Sequence, residues 1–252
     1  MGVHNGAHRM KVAIDSIIQQ TYTNWEFIIC DDGSTDNSFE ILKEYQKNDP
    51  RFIIIENERN SGLPYTLNHC IENCKGDFIA RMDDDDLCYR NRFEEQIKFL
   101  NEHPDISFVS SSIDNFDGSK ITGRRMLKPF PTKVDMVWQT QFVHPATMFR
   151  ADDLKSVGCY RVAEETRRGQ DYDLFMRMYG AGFKGANLQE PVYRYLMDAQ
   201  NIKRRTFRAR IGEFKIRLHG YKAMKVLWWA FPFLFKPFAA HLVQSLKYRN
   251  MK

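Results

Sequence analysis

Over its first 110 residues the chain alternates between short apolar runs and stripes of helical spacing, and several of the runs end in polar clusters. Met10, Ala13, Ile14, Ile17 and Ile18 share one helical face within 9–20, and an apolar run follows at 26–30. Phe39, Ile41, Leu42 and Tyr45 predict a second helix, with Asp36 placed to cap it, and 51–56 is the next run. A helix over 63–74 tolerates Pro64 in its first turn. A run at 77–82, a helix over 92–103 closed by Pro104 and a run at 106–111 complete the series. Such alternation folds as an open, mostly parallel α/β sheet with right-handed crossovers, and ligands bind beyond the carboxyl ends of its strands. Three polar clusters fall at those ends: Val3-His4-Asn5, Asp31-Asp32 and Asp83-Asp84-Asp85-Asp86. Their convergence argues for one shared site.

The four consecutive aspartates carry the most chemistry. Two unit charges about 4 Å apart repel by about 1 kcal/mol in water, and by more as the dielectric falls. A solvated turn could carry such a run. At the end of a core strand a bound divalent cation resolves it better, because hard carboxylate oxygens suit Mg²⁺ or Mn²⁺. That points to a substrate bearing phosphate. Extended backbone would send Asp83 and Asp85 to one side and Asp84 and Asp86 to the other.

Asp31-Asp32-Gly33-Ser34 reads either as a plain strand-to-helix turn or as a contact for a base or ribose, with Gly33 permitting close backbone approach. Residues 113–132 read as a variable loop or short hairpin, and 139–150 as extended backbone around His144-Pro145. His144 is expected to be a hydrogen-bonded structural histidine in preference to a phosphate contact. A helix over 169–180 turns Tyr172, Phe175, Met176 and Tyr179 inward and puts Asp171 in its first turn. There Asp171 complements the helix dipole or, if the fold brings it near the metal, acts as a general base. Strands at 183–188 and 192–196 precede a helical tail from 201 to about 246.

Composition bounds the class. With 252 residues, 43% hydrophobic and 27% charged, the chain can bury one substantial core, and wholesale disorder is excluded. Five cysteines without a CxxC pair suit free thiols in a reducing cytosol, and Cys70 and Cys74 read as helix-face residues rather than ligands. The net charge of +5 hides an asymmetry: residues 201–252 hold thirteen Lys/Arg against Glu213 alone, which leaves the rest of the chain acidic. Such a tail seeks a polyanion, either nucleic acid or an anionic membrane surface. The opening residues form no apolar leader. The apolar stretch 226–243 contains Pro232, Lys236, Pro237 and His241, so it reads as interfacial rather than spanning. Its Trp228, Trp229, Phe231, Phe233, Phe235 and Phe238 fit the headgroup zone of a bilayer, with a buried helix as the alternative.

Together the motifs resemble a known family. Val3-His4-Asn5-Gly6, Ser16-Ile17-Ile18-Gln19-Gln20-Thr21-Tyr22 and Asp31-Asp32-Gly33-Ser34-Thr35-Asp36 are similar to the opening of the family 2 glycosyltransferases. Asn60-Ser61-Gly62 with Asn68, then Gly76-Asp77-Phe78-Ile79-Ala80 and the aspartate run, resemble the next block, which ends in a DxD metal motif. Gln170-Asp171-Tyr172-Asp173-Leu174 resembles the block that carries the catalytic base. The likeness covers about residues 1–196, and the basic, aromatic tail resembles that of bacterial capsule, exopolysaccharide and O-antigen enzymes.

The resemblance implies a GT-A fold and an inverting sugar transfer. By position it implies that Val3, His4 and Asp32 line the nucleotide pocket, that Asp83 and Asp84 meet ribose and sugar phosphate, that Asp85 binds Mn²⁺ or Mg²⁺, and that Asp171 deprotonates the acceptor. The donor is expected to be a nucleoside-diphosphate sugar, UDP-linked by preference, and the acceptor a lipid-linked saccharide. The expected division is 1–112 for the donor half, 113–200 for the acceptor and base half, and 201–252 for a tail resting on the cytosolic face of the membrane, with no nucleic-acid partner. Four departures stand out. The family's first strand is longer than Met1-Gly2-Val3, His4 replaces its usual Tyr, Gln170 replaces its Glu, and its late histidine has no match around 195–201. The rival readings are a nucleotidyltransferase, which wants a Gly-rich basic phosphate loop that the sequence lacks, a peripheral membrane protein acting through its tail, and an inactive remnant.

Overall fold

The computed structural model describes residues 1–197 and 206–239. The first half is built as the periodicity predicts. Strands β1 (Gly2–Val3), β2 (Phe27–Asp31) and β3 (Phe52–Glu56) pair in parallel, joined through helices α1 (Met10–Ile18) and α2 (Ser38–Asn48). Helix α1 buries Met10, Ala13, Ile14 and Ile17, the stripe read from the sequence. Asp36 sits one residue before the cap position yet still holds the start of α2, because its Oδ1 accepts from the Ser38 amide at 3.0 Å. Helix α3 (Leu63–Glu72) opens after Gly62 and carries Pro64 in its first turn, where proline's missing N–H matters least. Cys70 lies on α3 and Cys74 just beyond it, and all five cysteines are free.

A second ladder holds β10 (Gly185–Leu188), β6 (Phe108–Ser111), β9 (Met148–Arg150) and β4 (Phe78–Ala80). Strand β10 is parallel to β6, whereas β9 runs antiparallel to both β6 and β4. Here the backbone departs from the extended reading of 139–150: His144–Ala146 is a 3₁₀ turn, and only the residues after it form strand. The third ladder joins β5 (Leu87–Cys88), β11 (Tyr193–Leu196), β7 (Ile113–Phe116) and β8 (Ile121–Arg125). Strands β7 and β8 are the expected hairpin, its turn held by Asp117 Oδ1 accepting from the amides of Ser119 and Lys120.

Helix α4 (Arg92–Glu102) packs beside β6. Its fully buried Arg92 is satisfied by the Arg81 carbonyl at 2.7 Å, the Pro145 carbonyl at 3.1 Å and Gln96 Oε1 at 3.0 Å. Two short helices, α5 (Lys133–Trp138) and α6 (Ala151–Ser156), flank β9 in sequence. Helices α7 (Gln170–Gly180) and α8 (Phe207–Ala223) pack together around a core that includes Phe175, Met176, Ile216 and Tyr221.

The tail is therefore partly core. Helix α8 ends at a break where Lys225 adopts φ 60, and α9 (Leu227–Ala230) and a 3₁₀ turn (Phe231–Phe235) follow, so the described part is not one continuous helix. Ala230 and Leu234 are buried and the Phe233 ring lies tilted against Trp138 with centroids 4.6 Å apart, whereas Trp228 is 84% exposed and Phe231 and Phe235 also face outward. No helix among the described residues is long and apolar enough to cross a membrane. The tail expectations for 201–205 and 240–252 lie outside the described residues.

Candidate active site

The three polar clusters do come together, each at the end of a strand. Val3 is buried at the end of β1, and its carbonyl accepts from the Asp32 amide at 2.7 Å. His4 is exposed, with Nδ1 donating to the Asp32 carbonyl at 3.0 Å. The chain then turns through Asn5 at φ 52, whose side chain accepts from the Thr35 amide at 2.8 Å while its own amide donates to Ser34 Oγ at 2.9 Å. These bonds lock the β1 turn onto the β2 turn.

The Asp32 carboxylate is buried and heavily used by the protein. Oδ1 accepts from Asn57 Nδ2 at 2.7 Å and from the Ser61 amide at 2.9 Å, and Oδ2 accepts from the Gly62 amide at 2.9 Å. One acceptor position on Oδ2 remains by this count. Gly33 does permit close approach, but of the chain's own backbone: at φ 64 it lies against Arg59 and Asn60, where an added Cβ would stand 2.7 Å from the Arg59 Cα. Its neighbour Asp31 holds the Ser34 amide through Oδ2 at 2.9 Å, and its Oδ1 is buried without a hydrogen-bond partner.

The aspartate run departs from simple alternation. The chain bends at Asp84 and Asp85, so carboxylate oxygens of Asp83, Asp85 and Asp86 lie within 4.8 Å of one another. Asp84 turns aside, and its Oδ2 accepts from Arg9 Nε at 3.1 Å and from a terminal Arg9 nitrogen at 3.0 Å. The β1 turn makes this possible: Gly6 lies against Asp84, where an added Cβ would stand 2.6 Å from Oδ2, and Arg9 precedes α1 directly.

Asp83 pairs with the buried Arg81. Asp86 is almost fully buried; its Oδ1 accepts from the Leu196 amide at 2.7 Å, and its Oδ2 has no hydrogen-bond partner. Burial, then the charge of Asp83, pushes Asp86 up to about 8, and burial followed by Asp83 and Asp84 pushes Asp85 up to about 6. Three converging hard oxygen donors of this kind suit a divalent cation. Sequence reading gave Asp86 no role, because alternation set it apart from Asp85; its membership of the run was the available signal. Tyr193 and Tyr195 of β11 cover the cluster: the Asp83 amide donates to the Tyr193 hydroxyl at 3.4 Å, and the aspartates, after burial, raise the Tyr195 hydroxyl.

Asp171 lies in the first turn of α7, half-buried, following Gly169 at φ 95. Between it and the aspartate run in sequence lies Tyr160, whose hydroxyl burial raises above its ordinary range, with the charges of Asp171 and Asp83 adding to the rise. Tyr160 is fixed from two sides. Its amide donates to Asn68 Oδ1 at 2.9 Å while Asn68 Nδ2 donates to its carbonyl at 2.8 Å, and its hydroxyl lies 2.6 Å from Nε2 of the buried His144. His144 is thus structural, as expected. Asp173 is also structural: Arg161 donates to its Oδ1 at 2.9 Å and Arg177 Nε to its Oδ2 at 2.8 Å. Arg177 donates onward to the Val157 carbonyl at 2.6 Å, which ties the 157–161 segment carrying Tyr160 to the helix carrying Asp171.

Comparison with known proteins places the chain in a family. Residues 1–158 match the family model described as Glycosyl transferase family 2. A Bacillus subtilis (strain 168) protein bearing the glycosyltransferase name EpsE is 39% identical over 208 residues, 82% of this chain and 75% of its own. The amylovoran biosynthesis glycosyltransferase AmsE of Erwinia amylovora is 28% identical over 201 residues, 78% of this chain and 73% of its own. Among solved structures, S. aureus TarS 1-349 in complex with UDP-GlcNAc superposes with a TM-score of 0.71 at 15% identity, covering 90% of this chain and 70% of its own. The mannosyltransferase PcManGT from Pyrobaculum calidifontis, in complex with GDP-Man and Mn²⁺, superposes with a TM-score of 0.65 at 16% identity, covering 96% and 73%. These superpositions establish the shared GT-A-like fold.

Proposed function

The chain belongs to glycosyltransferase family 2, and from that membership we propose a cation-dependent, inverting enzyme that moves a sugar from a nucleoside-diphosphate sugar to a hydroxyl of a lipid-linked saccharide. A UDP-sugar is the first donor to test, and the product would be a bacterial surface polysaccharide, as the names of its relatives suggest. The observation that carries the reading is the convergence of Asp83, Asp85 and Asp86 within 4.8 Å of one another.

The donor set fits a hard cation, since three carboxylates converge and the buried Asp86 Oδ2 has no other partner. Asp85, with Asp83 and Asp86 beside it, would hold Mn²⁺ or Mg²⁺, which when bound supplies positive charge against the diphosphate leaving group. Val3, His4 and Asp32 would hold the base and ribose, and Asp83 and Asp84 would meet the ribose and the sugar phosphate. Asp171 would accept the proton of the attacking hydroxyl as in-line displacement inverts the anomeric centre. In this division 1–112 serves the donor and 113–200 the acceptor. The exposed Trp228, Phe231 and Phe235, with exposed Arg208, Lys215, Lys222 and Lys225, support a tail that rests reversibly on the cytosolic membrane face. A panel of sugar nucleotides with Mn²⁺, scored for nucleoside diphosphate release, tests the proposal. It fails if no donor is consumed, or if Asp171→Asn turns over as fast as the parent chain.

A further inference from the structure

Two arginines from separate elements meet the aspartate run, and the proposed chemistry gives neither a task. Arg81, directly after β4, is 6% exposed and pairs through a guanidinium nitrogen with Asp83 Oδ1. Its backbone is fixed twice: the amide donates to the Thr147 carbonyl at 2.9 Å, and the carbonyl accepts from Arg92 at 2.7 Å. Arg9, directly before α1, holds Asp84 through its two bonds to Oδ2. Among the described residues neither Asp85 nor Asp86 has an ion-pair partner. The buried Arg92 nearby bonds to the Arg81 and Pro145 carbonyls and to Gln96, all neutral acceptors. With all four carboxylates ionised, the two paired guanidinium groups therefore leave the run at −2, a charge that one divalent ion balances.

We propose that Arg81 and Arg9 are fixed counter-charges that set how tightly the aspartate run binds a divalent cation, each holding the affinity down. The inference rests on the cation-dependent reading above and names the residues that tune it. Each guanidinium repels an arriving cation, and Arg81 also occupies one Asp83 oxygen that the cation would otherwise have to itself. Their weights differ with burial. The Arg81 side chain is 5% exposed and acts through a low dielectric, whereas that of Arg9 is 37% exposed and is screened by water and salt. At an effective dielectric of about 20, a unit charge about 8 Å from a divalent ion already outweighs a tenfold change in affinity. Removing either charge should therefore tighten cation binding, whereas mere damage to the pocket should loosen it. That opposition of sign separates a counter-charge from a structural prop.

The test titrates the full chain with Mn²⁺ alone and counts the free ion by electron paramagnetic resonance, so no turnover is needed. Arg81→Gln keeps a donor for Asp83 but loses the charge, and should bind Mn²⁺ about tenfold tighter than the parent chain. Arg81→Lys keeps the charge and should stay within about threefold of the parent. Arg9→Gln should tighten binding about threefold at low salt and not at 1 M KCl, where the screening length is about 3 Å, while the gain in Arg81→Gln persists. Equal or weaker binding by folded Arg81→Gln would overturn the proposal, and so would equal tightening in Arg81→Lys, because charge would then not be the cause. Should Arg81→Gln fail to fold, Arg9→Gln decides, with unchanged or weaker low-salt binding as the overturning result. Asp85→Ala separates the two levels of inference. If it binds Mn²⁺ as well as the parent, or if the parent binds none, the cation reading falls and this proposal with it; if it loses binding while the arginine variants tighten nothing, this proposal alone falls.

Discussion

One oxygen of Asp84 takes both hydrogen bonds that Arg9 offers, which ties the turn after β1 to the aspartate run 75 residues away. Burial pushes the Asp84 carboxyl up, and Arg9 opposes that push. Arg9→Met removes the opposition and leaves a buried carboxylate with less compensation. Because the Arg9 side chain is 37% exposed, the expected loss is about 1 kcal/mol rather than the larger value for a fully buried pair. Urea titration of the variant checks this, with Arg9→Lys expected to recover part of the loss.

Charge crowding at Asp86 makes a second outcome measurable. Without divalent cation, Asp86→Asn relieves repulsion from Asp83 while its amide oxygen can still accept from Leu196, so stability should hold or rise by about 1 kcal/mol. With Mn²⁺ in hundredfold excess over its dissociation constant, the parent chain should gain about 2.7 kcal/mol. Asp85→Ala and Asp86→Asn should each lose most of that gain. Thermal melts with Mn²⁺ and with EDTA separate the two effects.

Asp171 and Asp173 stand two residues apart and should fail differently. Asp173→Ala leaves Arg161 and Arg177 without their shared, buried acceptor, and should lower stability by about 3 kcal/mol. Asp171→Asn should leave the melting temperature within about 2 °C of the parent while reducing turnover at least a hundredfold, the usual range for a lost general base. Paired melting and donor-turnover measurements decide between these roles.

His144 gives a pH signature. Burial, with the charge of Arg81 beside it, holds its imidazole well below the ordinary 6.5. The unfolded chain takes up a proton that the folded chain refuses, so this residue's contribution is present above that pH and lost as pH falls, by about 1.4 kcal/mol per unit. Gln at 144 can still accept from Tyr160 but does not titrate. The stability gap between the parent and His144→Gln should therefore narrow from about pH 6.5 to pH 5 in urea titrations.

The first half was legible because its helices are amphipathic and its strands apolar, so periodicity alone found Met10, Ala13, Ile14 and Ile17 as a buried face. The meeting of Val3, Asp32 and the aspartate run followed from strand ends. What the sequence hid was pairing between distant segments. Nothing near Arg161 announces that it shares Asp173 with Arg177, or that Asn68 clamps Tyr160 across ninety-two positions. The bend at Asp84 was equally hidden, since four identical residues carry no contrast from which a turn could be read. The tail mixed both of its readings: Leu234 is core and Trp228 is surface, because one face of a short helical turn packs while the next faces out. The absent late histidine concerns a stretch whose latter part, 198–201, lies outside the described residues.

A Cβ at Gly33 would strike the backbone of Arg59 and Asn60, and the amides of Ser61 and Gly62 that follow them grip Asp32. The turn after β2 and the loop after β3 are thus meshed, and neither can lengthen without prying the other off the carboxylate between them. Any effort to retarget the pocket at this edge would have to exchange 31–36 and 57–62 together, as one cassette.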